Sequence, residues 1–186
     1  GYFRTQGQAP ERTGNRHGGL STCPYNVYEA REGHVVIICV NNNHWRNLCA
    51  AIGRQDLADD EKYSSNLKRC AHIDFIDEEI NKWTRTKARF EIHKILNAIH
   101  VPSAPVMKLA EVVNDPHHLE RGMLKDIEHP QKGRVRVFMS PIHLSASKTS
   151  EPIFSPLLGQ HNEEIFKELL GVELNEIKKL KEENII

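Results

Sequence analysis

No apolar stretch of this sequence approaches the roughly 20 residues needed to cross a bilayer. The longest, residues 35–40, has the length of one buried strand. The opening residues GYFRTQGQAP lack the basic-then-apolar pattern of a secretory signal. Excess charge is absent too: Lys plus Arg number 25 and Asp plus Glu number 25, so no net basic field invites nucleic acid or an anionic membrane surface. Aromatic residues form only 6% of the chain and do not interleave with basic ones, which removes a stacking platform for bases.

Chemical signatures are equally sparse. The four cysteines, Cys23, Cys39, Cys49 and Cys70, include no pair at CxxC spacing. Cys39 lies in an apolar strand-like run and Cys49 on an apolar helix face. These are expected to be reduced thiols of an intracellular protein rather than a disulfide framework. Eleven histidines raise the question of a metal, but no HExxH or Cys/His zinc spacing appears. The adjacent His117 and His118 would point in different directions, so no metal is expected. There is no G-x-S-x-G elbow, no Walker loop and no G-x-G-x-x-G after a strand. Asp59–Asp60 and Glu78–Glu79 read as solvated charges on polar helix surfaces. No internal repeat is present.

What remains is a chain of 186 residues, enough for one domain with a proper core. Residues 1–24 have linker composition. YNVYEA (25–30) alternates, and HVVIICV (34–40) is a continuous β-branched run expected to be buried on both faces. The turn between them, residues 31–33, makes the pair a β-hairpin. In NNNHWRNLCAAIG an asparagine can cap a helix whose stripe is Trp45, Leu48, Cys49 and Ile52, with Gly53 as the stop. One short helix is expected in RQDLADDEKYSS. A helix over about 72–83 would bury Ile73, Ile76, Ile80 and Trp83. Another over about 87–99, capped by Thr86, would bury Ile92, Ile95, Leu96 and Ile99.

VPSAPV (101–106) is expected to be extended, because two prolines disfavour helix before them. KLAEVVND (108–115) offers a turn or two of helix that Pro116 stops. GMLKDIEHPQKGRVRVFMS reads as two strands with residues 131–133 at the tip. A proline-spotted stretch leads to a helix with the stripe Ile165, Phe166, Leu169 and Leu170, stopped by Gly171. The last helix, about 174–183, is thinly apolar. The order hairpin, helices, second β-pair, helical tail places the fold class as α+β.

One segment stands apart. In RTGNRHGG, Gly14, Gly18 and Gly19 flank Asn15, Arg16 and His17. Glycines let a backbone approach a ligand closely and present N–H groups to an anion or oxyanion. The residues alone leave a ligand loop and a plain linker both open.

An ordered set of motifs carries further. RTGNRHGG followed by CPYNVYEAREGHVVI resembles the start of the small domain in the family III CoA-transferases, which include formyl-CoA and carnitine CoA-transferases and the α-methylacyl-CoA racemases. The helix ending GRQDL, the VPSAPV segment, VVNDPHHLERGML, EHPQKGRVRV, SPIHLS and PLLGQHNEEI are similar to family elements in the same order. His100 departs from the family, where glycine usually precedes VP. The similarity extends from about residue 12 to residue 171.

This resemblance implies a Rossmann-like large domain built mainly from an N-terminal half, a small domain, and two monomers interlocked like chain links. Residues 1–24 would be a linker with the glycine-rich loop, residues 25–140 the small α+β domain, and residues 141–186 an extended segment and C-terminal helices returning to the large domain. The implied chemistry moves CoA between carboxylic acids through an aspartyl intermediate. Its nucleophile lies in the N-terminal half, so no catalytic residue is expected in this chain, and the chain by itself is expected to be inactive. The substrate would be a coenzyme A thioester, with acyl-CoA and carboxylic acid as partners in a homodimer. The implied substrate loop is Gly14, Asn15, Arg16, His17, Gly18 and Gly19, with Tyr25 lining the acyl site. Other readings are a racemase fragment, or a non-catalytic subunit or remnant acting by association. The expected location is cytoplasmic, or mitochondrial or peroxisomal in a eukaryote.

Overall fold

The computed structural model describes Arg4, Gly7, Ala9 and residues 11–186, so much of the expected linker at residues 1–10 lies outside the described residues. The chain divides into two compact units, with the boundary between Lys108 and Leu109.

In the first unit, β1 (Tyr25–Glu29) and β2 (His34–Ile38) pair antiparallel with Tyr28 opposite Val35. Gly33 closes the turn at φ +77°, a conformation that favours glycine. The extended VPSAPV segment supplies β3 (Ser103–Pro105), antiparallel to β2, so the strand order is β1-β2-β3. β2 is not buried on both faces as its composition suggests. Val35 and Ile37 are buried, whereas Val36 and Ile38 are half-buried and His34 is exposed. The period-2 alternation of a strand sends neighbouring side chains to opposite faces, and only the face of Val35 and Ile37 is fully buried.

Helix α1 (Asn42–Ala51) starts at Asn41, whose side chain accepts from the His44 amide, and buries Trp45, Leu48 and Cys49. Ile52 is half-buried, and Gly53 follows at φ +72°. Helix α2 (Gln55–Asp59) and a 3₁₀ turn (Glu61–Tyr63) follow, then α3 (Asn66–Cys70), which the sequence pattern did not suggest. Helix α4 (Ile73–Thr84) buries Ile73, Ile76, Asp77, Ile80 and Thr84, while Trp83 is half-buried. Helix α5 (Arg89–Ala98) buries Ile92 and Leu96 and leaves Ile95 half-buried.

Thr86 does not cap α5. Its hydroxyl donates to the Trp83 carbonyl at 2.7 Å and so closes α4, and Ala88 is the N-cap, its amide donating to Glu91 at 3.4 Å. Sheet and helices enclose one core, in which each fully buried Leu or Ile contributes about 1.5–3 kcal/mol.

Glu79 is a second correction. Its side chain is 9% exposed and bridges Arg54 and Lys82, so it is a paired, largely buried carboxylate and not a solvated one.

The second unit begins with α6 (Leu109–Val112) and α7 (Pro116–Glu120). Pro116 opens α7 instead of merely stopping α6. Asp115 caps the new helix by accepting from the His117 amide at 2.8 Å, and proline at the first helical position has no amide to waste. Strands β4 (Leu124–His129) and β5 (Gly133–Phe138) form an antiparallel ribbon with His129 opposite Gly133. Residues 139–161 contain no helix or strand. Helices α8 (Asn162–Glu168) and α9 (Leu174–Glu182) close the chain, and Ile177 of α9 is buried. The stripe expected to bury α8 does not: Ile165 and Leu170 are exposed, Leu169 is 77% exposed, and Phe166 is half-buried.

Candidate functional site

The glycine-rich segment starts as a tight turn. The Arg16 amide donates to the Thr13 carbonyl at 3.3 Å, and the Thr13 hydroxyl donates to the Arg16 carbonyl at 3.0 Å. Gly14 makes this possible at φ +67°. A second turn follows, with the Leu20 amide donating to the His17 carbonyl at 2.9 Å. The His17 ring folds over this second turn: Nδ1 accepts from the Gly19 amide at 3.2 Å and lies 3.2 Å from the Ser21 hydroxyl. Accepting from an amide requires that Nδ1 carry no proton. The ring also meets Tyr25 edge-on, with centroids 5.3 Å apart.

Beneath the loop lies a buried carboxylate. Asn26 and Tyr28, two apart on β1, both reach Asp77 on α4. Tyr28 donates its hydroxyl to Oδ1 at 2.7 Å, and Asn26 donates Nδ2 to Oδ2 at 2.9 Å. Arg16 completes the set, donating Nε to Asp77 Oδ2 at 2.8 Å and Nη2 to Asp74 Oδ1 at 2.7 Å. Asp74 and Asp77 are three apart on α4 and so share one flank that a forked guanidinium can span. The Asp77 side chain is only 7% exposed, against 89% for Asp74. Burial pulls the Arg16 pKa down, but the hydrogen bonds and charges of Asp74 and Asp77 outweigh it and leave it raised. Burial, with the Asp77 charge and hydrogen bond added, pushes the Tyr28 phenol well above its ordinary range.

Of the candidate residues, the structure thus brings together Arg16, His17, Gly19 and Tyr25. Gly14, Asn15 and Gly18 are exposed, and a Cβ added at Gly14 or Gly18 would meet nothing within 4 Å. Asp77, Asp74, Asn26 and Tyr28 were not singled out from the sequence. The available signal was a carboxylate at position 77, four residues after Ile73 and three before Ile80, on the apolar face of its helix.

Close to this cluster sits Arg69, fully buried. It donates Nε to the Cys23 carbonyl at 2.8 Å, Nη1 to the Tyr63 carbonyl at 2.9 Å and Nη2 to Asn66 at 3.0 Å, and it lies over the Trp45 ring at 5.3 Å. Burial lowers its pKa. These bonds hold the start of β1 against α3. All four cysteines are free, and burial pushes the thiols of Cys23 and Cys49 up to about 12 and that of Cys39 higher still. Such thiols are packing residues and poor nucleophiles. Among the described residues, no three His, Cys, Asp or Glu side chains are grouped to hold a metal ion, and no helix is long and apolar enough to cross a membrane.

The comparisons with known proteins agree with one another. The chain is 35% identical over 167 residues to the succinyl-CoA:mesaconate CoA-transferase of Haloarcula hispanica, covering 89% of this chain and 41% of that protein. It is 31% identical over 170 residues to the formyl-CoA:oxalate CoA-transferase of Rhodopseudomonas palustris BisA53, covering 89% of this chain and 39% of that protein. It therefore spans about two-fifths of the length of these relatives. A crystal structure of a CaiB/BaiF family protein from Brucella suis superposes with a TM-score of 0.75 at 30% identity, over 90% of this chain and 42% of that one. Rv3272 from Mycobacterium tuberculosis, at 22% identity and a TM-score of 0.67, shares the fold. The description "CoA-transferase family III" matches residues 1–162, and the chain belongs to that family.

Proposed function

We propose that this chain is the C-terminal portion of a family III CoA-transferase, which moves CoA between carboxylic acids. The observation that carries this reading is the match to CoA-transferases over 89% of the chain but only 41% of the relative. Residues 1–24 act as the linker with the substrate loop, residues 25–140 as the small domain, and residues 141–186 as the tail that returns to the large domain. The exposed apolar side chains of the tail, among them Ile153, Leu158, Leu169 and Leu170, support that return. The working form is an interlocked homodimer.

The nucleophile is an aspartate of the upstream half. Its carboxylate attacks the thioester carbonyl of acyl-CoA and expels CoA thiolate, leaving a mixed anhydride. The thiolate then attacks the aspartyl carbonyl, giving an enzyme–CoA thioester and the free donor acid. An acceptor carboxylate runs both steps in reverse. This chain supplies the glycine loop: Gly18 and Gly19 let the backbone approach the acyl thioester, with Tyr25 and His17 behind it. Succinate and mesaconate, or formate and oxalate, are the acid pairs to try first.

The test is complementation. The purified chain alone should give no new acyl-CoA, and the chain joined to its upstream half should convert an acyl-CoA and an acceptor acid into the exchanged pair. Turnover by the chain alone contradicts the reading, as does exchange of the α-proton without acyl exchange, which identifies a racemase.

A further inference from the structure

A segment this rich in glycine, with open space where a Cβ would stand at Gly14 and Gly18, is expected to move freely. Instead, the Arg16 side chain ties it to the N-terminal half of α4. We propose that Arg16 is a positioning residue for the acyl-CoA loop: by bridging Asp74 and Asp77 it fixes the turn 17–20 against β1 and α4. The inference rests on the CoA-transfer reading above.

Three observations carry it. First, Asp77 sits on the buried stripe of α4 and takes three donors, of which only Arg16 comes from the loop. Removing Arg16 leaves Tyr28 and Asn26 on the carboxylate, so strand and helix stay joined and the loop alone is released. Second, His17 follows Arg16 directly, so the anchored arginine fixes the stem from which the imidazole reaches Gly19, Ser21 and Tyr25. Third, Leu20 stands at φ +45°, a left-handed backbone that a residue with a Cβ adopts only where its surroundings over-determine it. His17 Nδ1, which meets Gly19 and Ser21, brackets Leu20 on both sides, and the Arg16 anchor holds the residue next to His17.

The consequence is preorganisation. The turn carrying Gly18 and Gly19 is held before a ligand arrives, with the Gly19 amide already donated to His17 Nδ1, so ordering its backbone is not a cost at the reacting step. Loss of the anchor should act on turnover more than on ground-state affinity, because Arg16 spends its Nε and Nη2 on the carboxylates of Asp77 and Asp74.

The experiment uses the chain joined to its upstream half and compares wild type with Arg16→Gln, Arg16→Lys and Asp77→Asn. Amide hydrogen exchange over residues 17–21 is read together with kcat and KM for acyl-CoA. In Arg16→Gln, exchange at Gly19 and Leu20 should rise about tenfold and kcat fall about tenfold, with KM changed less than about threefold. Arg16→Lys, still able to pair with one carboxylate, should recover part of both. Asp77→Asn, which sets an amide against two donors, should release the loop as Arg16→Gln does. Exchange and kcat equal to wild type in Arg16→Gln overturn the proposal, and so does a loosened loop with unchanged kcat. A wild-type assembly that transfers no CoA overturns the functional reading instead, and the exchange data then decide the anchor separately.

Discussion

Tyr28 on β1 donates its hydroxyl to Asp77 on α4 at 2.7 Å, deep enough that both side chains are nearly free of solvent. A strand and a helix are joined here by a charged acceptor, and a charged acceptor left short of donors is more costly than a neutral one. Tyr28→Phe keeps the ring and deletes only the donor. It should lower the stability of the chain by about 1.5–3 kcal/mol, read as a lower denaturant midpoint with unchanged slope.

Arg69 should be still less replaceable. Its guanidinium satisfies two backbone carbonyls and Asn66 in a site without solvent, and Arg69→Met leaves those acceptors unpaired. We expect a loss of about 3–5 kcal/mol by chemical denaturation. Arg69→Lys should recover only part of it, because an ammonium cannot reproduce the fork.

The buried thiols set an alkaline limit. A thiol whose folded pKa is raised adds stability that is fully present below its ordinary value and is lost as pH rises through the folded one. For Cys23 and Cys49 the folded value is about 12. Stability should therefore decline above about pH 9, the Tyr28 phenol adding to the fall beyond its own ordinary value. A thiol reagent at pH 8 should label Cys70 first, the one cysteine that is not fully buried, and should reach Cys23, Cys39 and Cys49 only on unfolding.

His100 ends α5 at φ +58°. Its amide donates to the Asn97 carbonyl at 3.1 Å, and the Val101 amide donates to Leu96 at 2.9 Å, the bonding of a glycine-terminated helix made with a histidine. His100→Gly should stabilise the chain by about 1 kcal/mol, raising the thermal midpoint by a few degrees.

Most of the first unit is legible in the sequence because its periodicities are strong. The Trp45–Leu48–Cys49 stripe, the hairpin at Gly33 and the extended prolines of VPSAPV each follow from one local rule. The errors share a cause as well. Thr86 and Glu79 are residues whose role depends on which neighbour they reach, and composition does not say whether a threonine closes one helix or opens the next. Asp77 is not legible, because a carboxylate amid isoleucines at helical spacing looks like an interruption of the stripe. Its three donors come from residues 16, 26 and 28, and only the fold brings these to it. The exposed stripe of α8 was legible as amphipathic, yet within this chain it remains uncovered.

Gly18 offers the most direct test of the central claim, that this loop serves an acyl-CoA site. A Cβ at Gly18 meets nothing within 4 Å in the chain itself, and its φ lies outside the glycine-favouring region. Gly18→Ala should therefore leave the thermal midpoint unchanged. In the chain joined to its upstream half, the added methyl should crowd the bound thioester and lower kcat/KM for acyl exchange by about tenfold or more. Wild-type kcat/KM in that variant would contradict the account.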